Sequence, residues 1–194
     1  MNQQQKSKTT KLKLKIAAES LFTEKTFDQT SILDITNHAG YAVGTFYKHW
    51  KRKEDLLFEL WQDFTTEYMI DSAREINQVK TINEFSSKIV NRSLEYGEHP
   101  FIKKYFSSQY HVEENQKIAM TDAYNLYVET IYQQLTKLHS EQKQPAILWQ
   151  IAIAVANFLN RHVLNSQNFS YNSHAVLTKQ QLINLVTYLL SYSD

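Results

Sequence analysis

Three glycines and two prolines in a chain of 194 residues leave little material for hairpins and tight turns. Average usage would supply about 14 glycines and about 10 prolines at this length. Sheets and short loops draw on these residues because glycine reaches positive φ without strain and proline presets a turn dihedral. Their scarcity predicts an all-α fold of long helices joined by short connections. The length allows either one large domain or a small domain attached to a larger one.

Several classes fall away at once. The chain has no cysteine, which excludes a disulfide framework, thiolate metal sites and a cysteine nucleophile. No stretch approaches the roughly 20 apolar residues needed to span a bilayer. The start, Met1 to Lys8, is polar and basic with no apolar run behind it, unlike a secretory signal. The expectation is a soluble, cytoplasmic protein with no membrane partner.

A net charge of +1 conceals an asymmetry. Residues 1–53 carry ten Lys or Arg against four Asp or Glu, a charge of +6, whereas residues 54–194 carry eleven against sixteen, −5. A basic segment joined to an acidic one suggests that the former meets a polyanion. A solvated, lysine-rich first helix would look the same, and charge alone does not separate the two.

Leu14, Ala17, Ala18, Leu21 and Phe22 form one apolar stripe at helical period, which predicts a first helix over residues 9–25. The glutamines at 3–5 read as a disordered start. Ser31 and Asp34 stand at the two positions of a capping box and open a short second helix with Ile32, Ile35 and Ala39 inward. Gly40 ends it, since glycine takes the left-handed conformation beyond a helix without a Cβ penalty. A third short helix is expected over 42–50 with Phe46 inward. Further helices are expected near 54–79, 81–98, 100–110, 114–140, 144–166 and 178–192, about nine in total, with Pro100 and Pro145 in first turns. Two short helices joined through Gly40 and followed by Lys51-Arg52-Lys53 read as a helix-turn-helix. Gly40 and Gly44 lie within five residues of each other, which points to a backbone or close-approach role.

The run Thr30-Ser31-Ile32-Leu33-Asp34-Ile35, then Ala39-Gly40-Tyr41-Ala42-Val43-Gly44-Thr45-Phe46-Tyr47-Lys48-His49-Trp50-Lys51-Arg52-Lys53-Glu54-Asp55-Leu56, resembles the DNA-binding domain of the TetR family of bacterial regulators. Ala17-Ala18 and Leu21-Phe22 match that family's first helix, and the resemblance covers about residues 9–60. A recognition helix enters the major groove with its N-terminal residues at base edges, here Ala42, Val43, Gly44 and Thr45. The resemblance implies phosphate contacts from Tyr47, His49 and Lys53, and from Thr30 and Ser31 at the start of the second helix. Lys48 could reach either base or backbone, while Phe46 and Trp50 should be core. Three positions depart from the family pattern: Thr26 where glycine is usual, Tyr41 for a small aliphatic residue, and Ala42 for a frequent capping serine. A lost cap costs about 1 kcal/mol locally.

Residues 1–53 are therefore expected to form a three-helix DNA-binding domain. Residues 54–194 are expected to form a helical bundle for ligand sensing and dimerisation. The bundle is rich in aromatics, which serve either as ordinary core or as the lining of a pocket between helices. The resemblance implies such a pocket for a small-molecule effector, with Trp61, Phe64, Tyr68, Tyr105, Tyr110, Tyr124, Tyr127, Trp149 and Phe158 as candidate lining residues. Ile147, Leu148, Ile151, Ala152, Val155, Phe158 and Leu159, with Leu182, Ile183, Leu185, Val186, Leu189 and Leu190, give the last two helices broad apolar faces. These could be monomer core, but the resemblance implies a homodimer through the helices near 144–166 and 178–192. His111 beside Glu113 and Glu114 is a weak metal candidate, and Ser140 with Lys143 matches an acyl-enzyme spacing without its partner motifs. No catalytic residue, cofactor or metal is expected. The leading reading is a homodimeric repressor released from a pseudo-palindromic double-stranded DNA operator by its effector. The alternatives are an architectural or interaction protein using DNA as a platform, or a ligand-binding bundle without operator function.

Overall fold

The computed structural model describes residues 2–100, 102–103, 114–139, 144–168 and 177–192. Eight helices lie among them: α1 (Gln3–Glu24), α2 (Ile32–His38), α3 (Val43–Phe46), α4 (Lys53–Ile76), α5 (Ile82–Glu98), α6 (Glu114–Leu138), α7 (Pro145–Asn168) and α8 (Lys179–Ser191). The described residues contain no strand.

Local chemistry accounts for most boundaries. Ser31 accepts from the Asp34 N–H while Asp34 accepts from the Ser31 N–H, closing the capping box of α2. Thr178 and Gln181 do the same for α8, and Thr81 caps α5. Pro145 is the first residue of α7, and Pro100 is helical in a turn where the Lys103 N–H donates to the His99 carbonyl. The expected disorder at 3–5 is overturned. Asn2 accepts from the Gln5 N–H at 2.9 Å and Gln5 returns the bond, so a capping box starts α1 six residues earlier than apolar periodicity suggested. Helix α3 is a single α turn that continues as tighter turns through His49, shorter than the expected helix over 42–50. Most of the helix expected at 100–110, together with Ser140, Lys143, His111 and Glu113, lies outside the described residues.

Two compact units emerge, Met1–Asp63 and Phe64–Asp194, and they divide within α4, not at its first residue. In the first, α1 packs on α2 and α2 on α3, with Leu14, Ala18, Leu21, Ile35, Phe46, Trp50, Leu56 and Leu57 buried. In the second, α5 packs on α7 and α8, and α6 and α8 pack on α7. Ile76, Phe85, Ile89, Ile131, Leu135, Ala152, Val155, Val186 and Leu190 lie at the centre of its core. No described helix is long and apolar enough to cross a membrane.

Candidate functional site

In the first unit the turn between α2 and α3 runs through Gly40 at φ +75°, a left-handed conformation that glycine adopts without strain. The Tyr41 N–H donates to the Thr36 carbonyl at 2.8 Å and closes the turn. Ala42 is the N-cap of α3 at φ −74° and ψ 151°, and no side chain caps it, as the alanine there implies. Phe46 anchors the inner face at zero exposure, with its ring centre 5.3 Å from that of Trp50.

The opposite face is open. Ala42, Gly44, Tyr47 and Lys48 are exposed, and Val43, Thr45 and His49 are half-buried. Gly44 has an ordinary backbone conformation, and a Cβ built on it would meet nothing within 4 Å. The fold itself therefore does not require glycine at 44, and close approach by an external surface would. His49 sits below its ordinary pKa, chiefly through burial and then through Lys11 and Lys48, with Glu59 opposing. Near neutral pH it is an uncharged ring with N–H donor capacity.

Two other sequence candidates are engaged inside the domain. Thr30 is 1% exposed, and its hydroxyl donates to the Thr26 carbonyl at 2.7 Å while its N–H donates to the Phe27 carbonyl. Lys53 donates from Nζ to the carbonyls of Phe27 and Thr30, at 2.6 and 2.7 Å, and lies 4.2 Å from the Phe27 ring centre. In this conformation both residues brace the turn that carries Thr26 at φ +74°. Ser31 is exposed, but its hydroxyl is committed to Asp34.

Sequence reasoning missed Glu59. It pairs with Lys11 at 2.8 Å and Lys15 at 3.1 Å and accepts from Trp50 Nε1 at 2.8 Å, and Lys15 also pairs with Asp63. Its carboxylate thus ties α1 and α4 to the residue that ends the α3 segment. No sequence spacing signals this, because its partners lie far apart along the chain.

The second unit contains a partly open cleft of about 490 Å³, a volume that includes solvent space. Tyr68, Met69, Ser72 and Ile76 of α4 form one wall. Ile89, Arg92, Ser93 and Tyr96 of α5 form another, and Tyr127, Asn160 and Val163 complete it from α6 and α7. Arg92 lies over the Tyr68 ring at 3.9 Å and donates to Ser72 Oγ at 2.9 Å. The Tyr68 hydroxyl donates to the Arg92 carbonyl and to Glu95; burial, then that carboxylate, keeps its pKa well above the ordinary phenol range.

Of the nine aromatics expected around a pocket, Tyr68 and Tyr127 line this cleft. Trp61 belongs instead to the first unit, where it is buried and stacked on Phe58. Phe64 stacks on His99 and Tyr96, Tyr124 donates to Asn157 at 2.7 Å, Trp149 meets Tyr132 edge-on, and Phe158 packs against the core. Tyr105 and Tyr110 lie outside the described residues. The aliphatic, serine and arginine lining carried no aromatic signal. Arg92 alone could have been noticed, as a cation in the middle of an amphipathic helix.

Residues 16–60 match the model of the bacterial regulatory proteins of the tetR family. A fatty acid metabolism regulator protein of Bacillus subtilis strain 168 is 28% identical over 85 residues, 43% of this chain. That match spans 44% of the relative, so less than half of its length is covered. Among solved structures, a TetR/AcrR-family regulator of Thermobifida fusca superposes with a TM-score of 0.61 at 17% identity, covering 93% of this chain and 96% of the other. The regulator FadR of Bacillus subtilis, solved in complex with stearoyl-CoA, superposes at 0.56 with 16% identity, covering 92% and 95%. At such identities the structures establish likeness of fold. Combined with the family match over residues 16–60 and the open face of α3, they lead to one conclusion: the helix-turn-helix unit matches the bacterial regulatory proteins of the tetR family, and the chain as a whole has the fold of such regulators.

Proposed function

We propose that the protein is a sequence-specific DNA-binding transcriptional regulator that acts as a homodimer and leaves its operator when a small molecule occupies the second unit. The observation that carries the DNA-binding part is Gly44. It is an exposed glycine with no internal need for its missing side chain, on a helix-turn-helix face beside Thr45, Tyr47 and Lys48. Ala42, Val43, Gly44 and Thr45 read base edges, with the Thr45 methyl suited to a thymine methyl. Tyr47, Lys48 and His49 meet phosphates, and Ser31 contributes its backbone end of α2. Thr30 and Lys53 act behind this face by holding the α1–α2 turn.

A half-site reader needs a second copy to recognise an inverted repeat. Much of the apolar surface expected to pair α7 and α8 between subunits is instead core of this chain: Leu148, Ala152, Val155, Leu159, Leu182, Val186 and Leu190 are buried. Leu185, Tyr188 and Tyr192 remain outward on or just beyond α8, each more than 40% exposed, and supply the proposed dimer surface. Helix α4 carries residues of both units and lends four residues to the cleft, so a ligand there acts on the helix that continues from the DNA reader. For release, the ligand must bind the two conformations unequally.

Selection of duplexes from a randomised library at near-physiological salt tests the reading. An enriched inverted repeat is expected, with Thr45→Ala altering preference at one position of each half-site. Binding without enrichment that merely vanishes as salt rises would rule out sequence-specific regulation.

A further inference from the structure

Two hydroxyls meet at the wall of the cleft: Ser93 Oγ and Tyr127 Oη, 2.7 Å apart, from α5 and α6. Each brings one proton, and their mutual bond uses one of the two. Neither hydroxyl has another hydrogen-bond partner among the described residues. Burial holds the Tyr127 phenol above its ordinary pKa, so it remains protonated across the physiological range. One O–H donor is therefore left over at the cleft wall beside Met69, Ile76, Ile89 and Val163, and a ligand that covers it without offering an acceptor pays for its desolvation.

The charge around the cleft is balanced. Arg92 pairs with Glu95 at 3.1 Å and lies 3.8 Å from Glu75, whose carboxylate also pairs with Lys88 at 3.0 Å. Two cations thus face two carboxylates. An anionic ligand would gain the guanidinium only by displacing an existing partner, and would meet the carboxylates that remain.

We propose that the cleft takes an uncharged amphiphile: a slender aliphatic or aromatic body ending in one oxygen acceptor, such as a ketone, ester or amide carbonyl. The carbonyl accepts from the Ser93–Tyr127 hydroxyl pair, and the body lies along Met69, Ile76, Ile89 and Val163. The identification rests on the reading of this cleft as the effector site.

Three probes share one apolar body and differ at its end: hexanophenone with a carbonyl, hexylbenzene with none, and 4-hexylbenzoate with a charge. Their affinities for the full-length protein are measured by titration calorimetry. The ketone is expected to bind about five- to tenfold more tightly than the hydrocarbon, the fold-change of one net hydrogen bond. That advantage disappears in the double variant Ser93→Ala/Tyr127→Phe, whose hydrocarbon affinity stays unchanged. The benzoate binds more weakly than the ketone. Met69→Trp, checked for folding by circular dichroism, fills the cleft and abolishes binding; Val163→Phe serves the same purpose if the first variant does not fold.

Equal affinity for ketone and hydrocarbon, tightest binding of the benzoate, or no binding of any probe would overturn the ligand class. Ketone binding untouched by a folded cleft-filling variant would overturn the site. If the ketone binds as described but leaves operator affinity unchanged, the ligand class stands and the effector reading falls.

Discussion

Lys53 stands in the basic run that sequence reasoning assigns to phosphate, yet its ammonium group points into its own domain. Replacing it with methionine keeps most of the stem's packing and removes the donors to the Phe27 and Thr30 carbonyls and the contact with the Phe27 ring. Hydrogen bonds to a charged group contribute about 1.5–3 kcal/mol each, and an exposed cation–π contact about 0.5–1 kcal/mol. These terms overlap at one half-buried group, and water reaches part of the site, so the total lies well below their sum. The first unit should lose about 2–3 kcal/mol, a large fraction of the stability of a small domain. Denaturant unfolding can follow this unit alone in a Trp149→Phe background, because Trp50 and Trp61, the remaining tryptophans, both belong to it. DNA binding is measured in parallel across a salt series. A phosphate ligand behaves differently: its loss lowers the slope of log K against log salt by about 0.9 and leaves unfolding alone. An unchanged midpoint together with a shallower salt slope would refute the bracing role and return Lys53 to the DNA interface.

Thr26 holds φ +74°, where a β-branched residue is strained. Thr26→Gly relieves about 1–2 kcal/mol and gives back about 0.4–1 kcal/mol through the freer unfolded chain; a net stabilisation of about 0.5–1 kcal/mol should appear as a higher unfolding midpoint, and a lower one would contradict the strain argument. Burial raises the pKa of Glu59, but Lys11, Trp50 and Lys15 outweigh it and leave the carboxyl below its usual value. Its contribution to stability is therefore complete above the unfolded value of about 4.3 and is lost as pH falls through the lower folded value. Acid unfolding followed at Trp50 should show this limb in the wild type and a flatter one in Glu59→Gln; superimposable acid limbs would mean that the carboxylate does not support the α3 segment.

Much of the first unit is legible because its signals are local. Ser31 and Asp34 are three residues apart, and helix geometry alone brings each side chain to the other's N–H. Gly40 is marked by the left-handed turn it makes, and Phe46 by its place on a short amphipathic helix. The same locality explains the misreading of α1. The glutamines carry no apolar period, but Asn2 and Gln5 are a capping pair that extends the helix outward.

What depends on distant residues is another matter. Whether Lys53 faces a phosphate or the carbonyl of Thr30, 23 positions earlier, is decided by how α4 enters against the α1–α2 turn. Glu59 becomes a hub only when α1, the end of the α3 segment and α4 converge. The aromatics of the second unit are countable from composition, yet most of those among the described residues pack elsewhere, and the cleft takes its chemistry from Arg92, Ser93 and Tyr127. Helix type, caps and the DNA-reading motif follow from neighbours within about one turn, so the chain alone determines them. A donor's partner and a cavity's lining depend on which faces of separate helices meet, and only tertiary packing decides that.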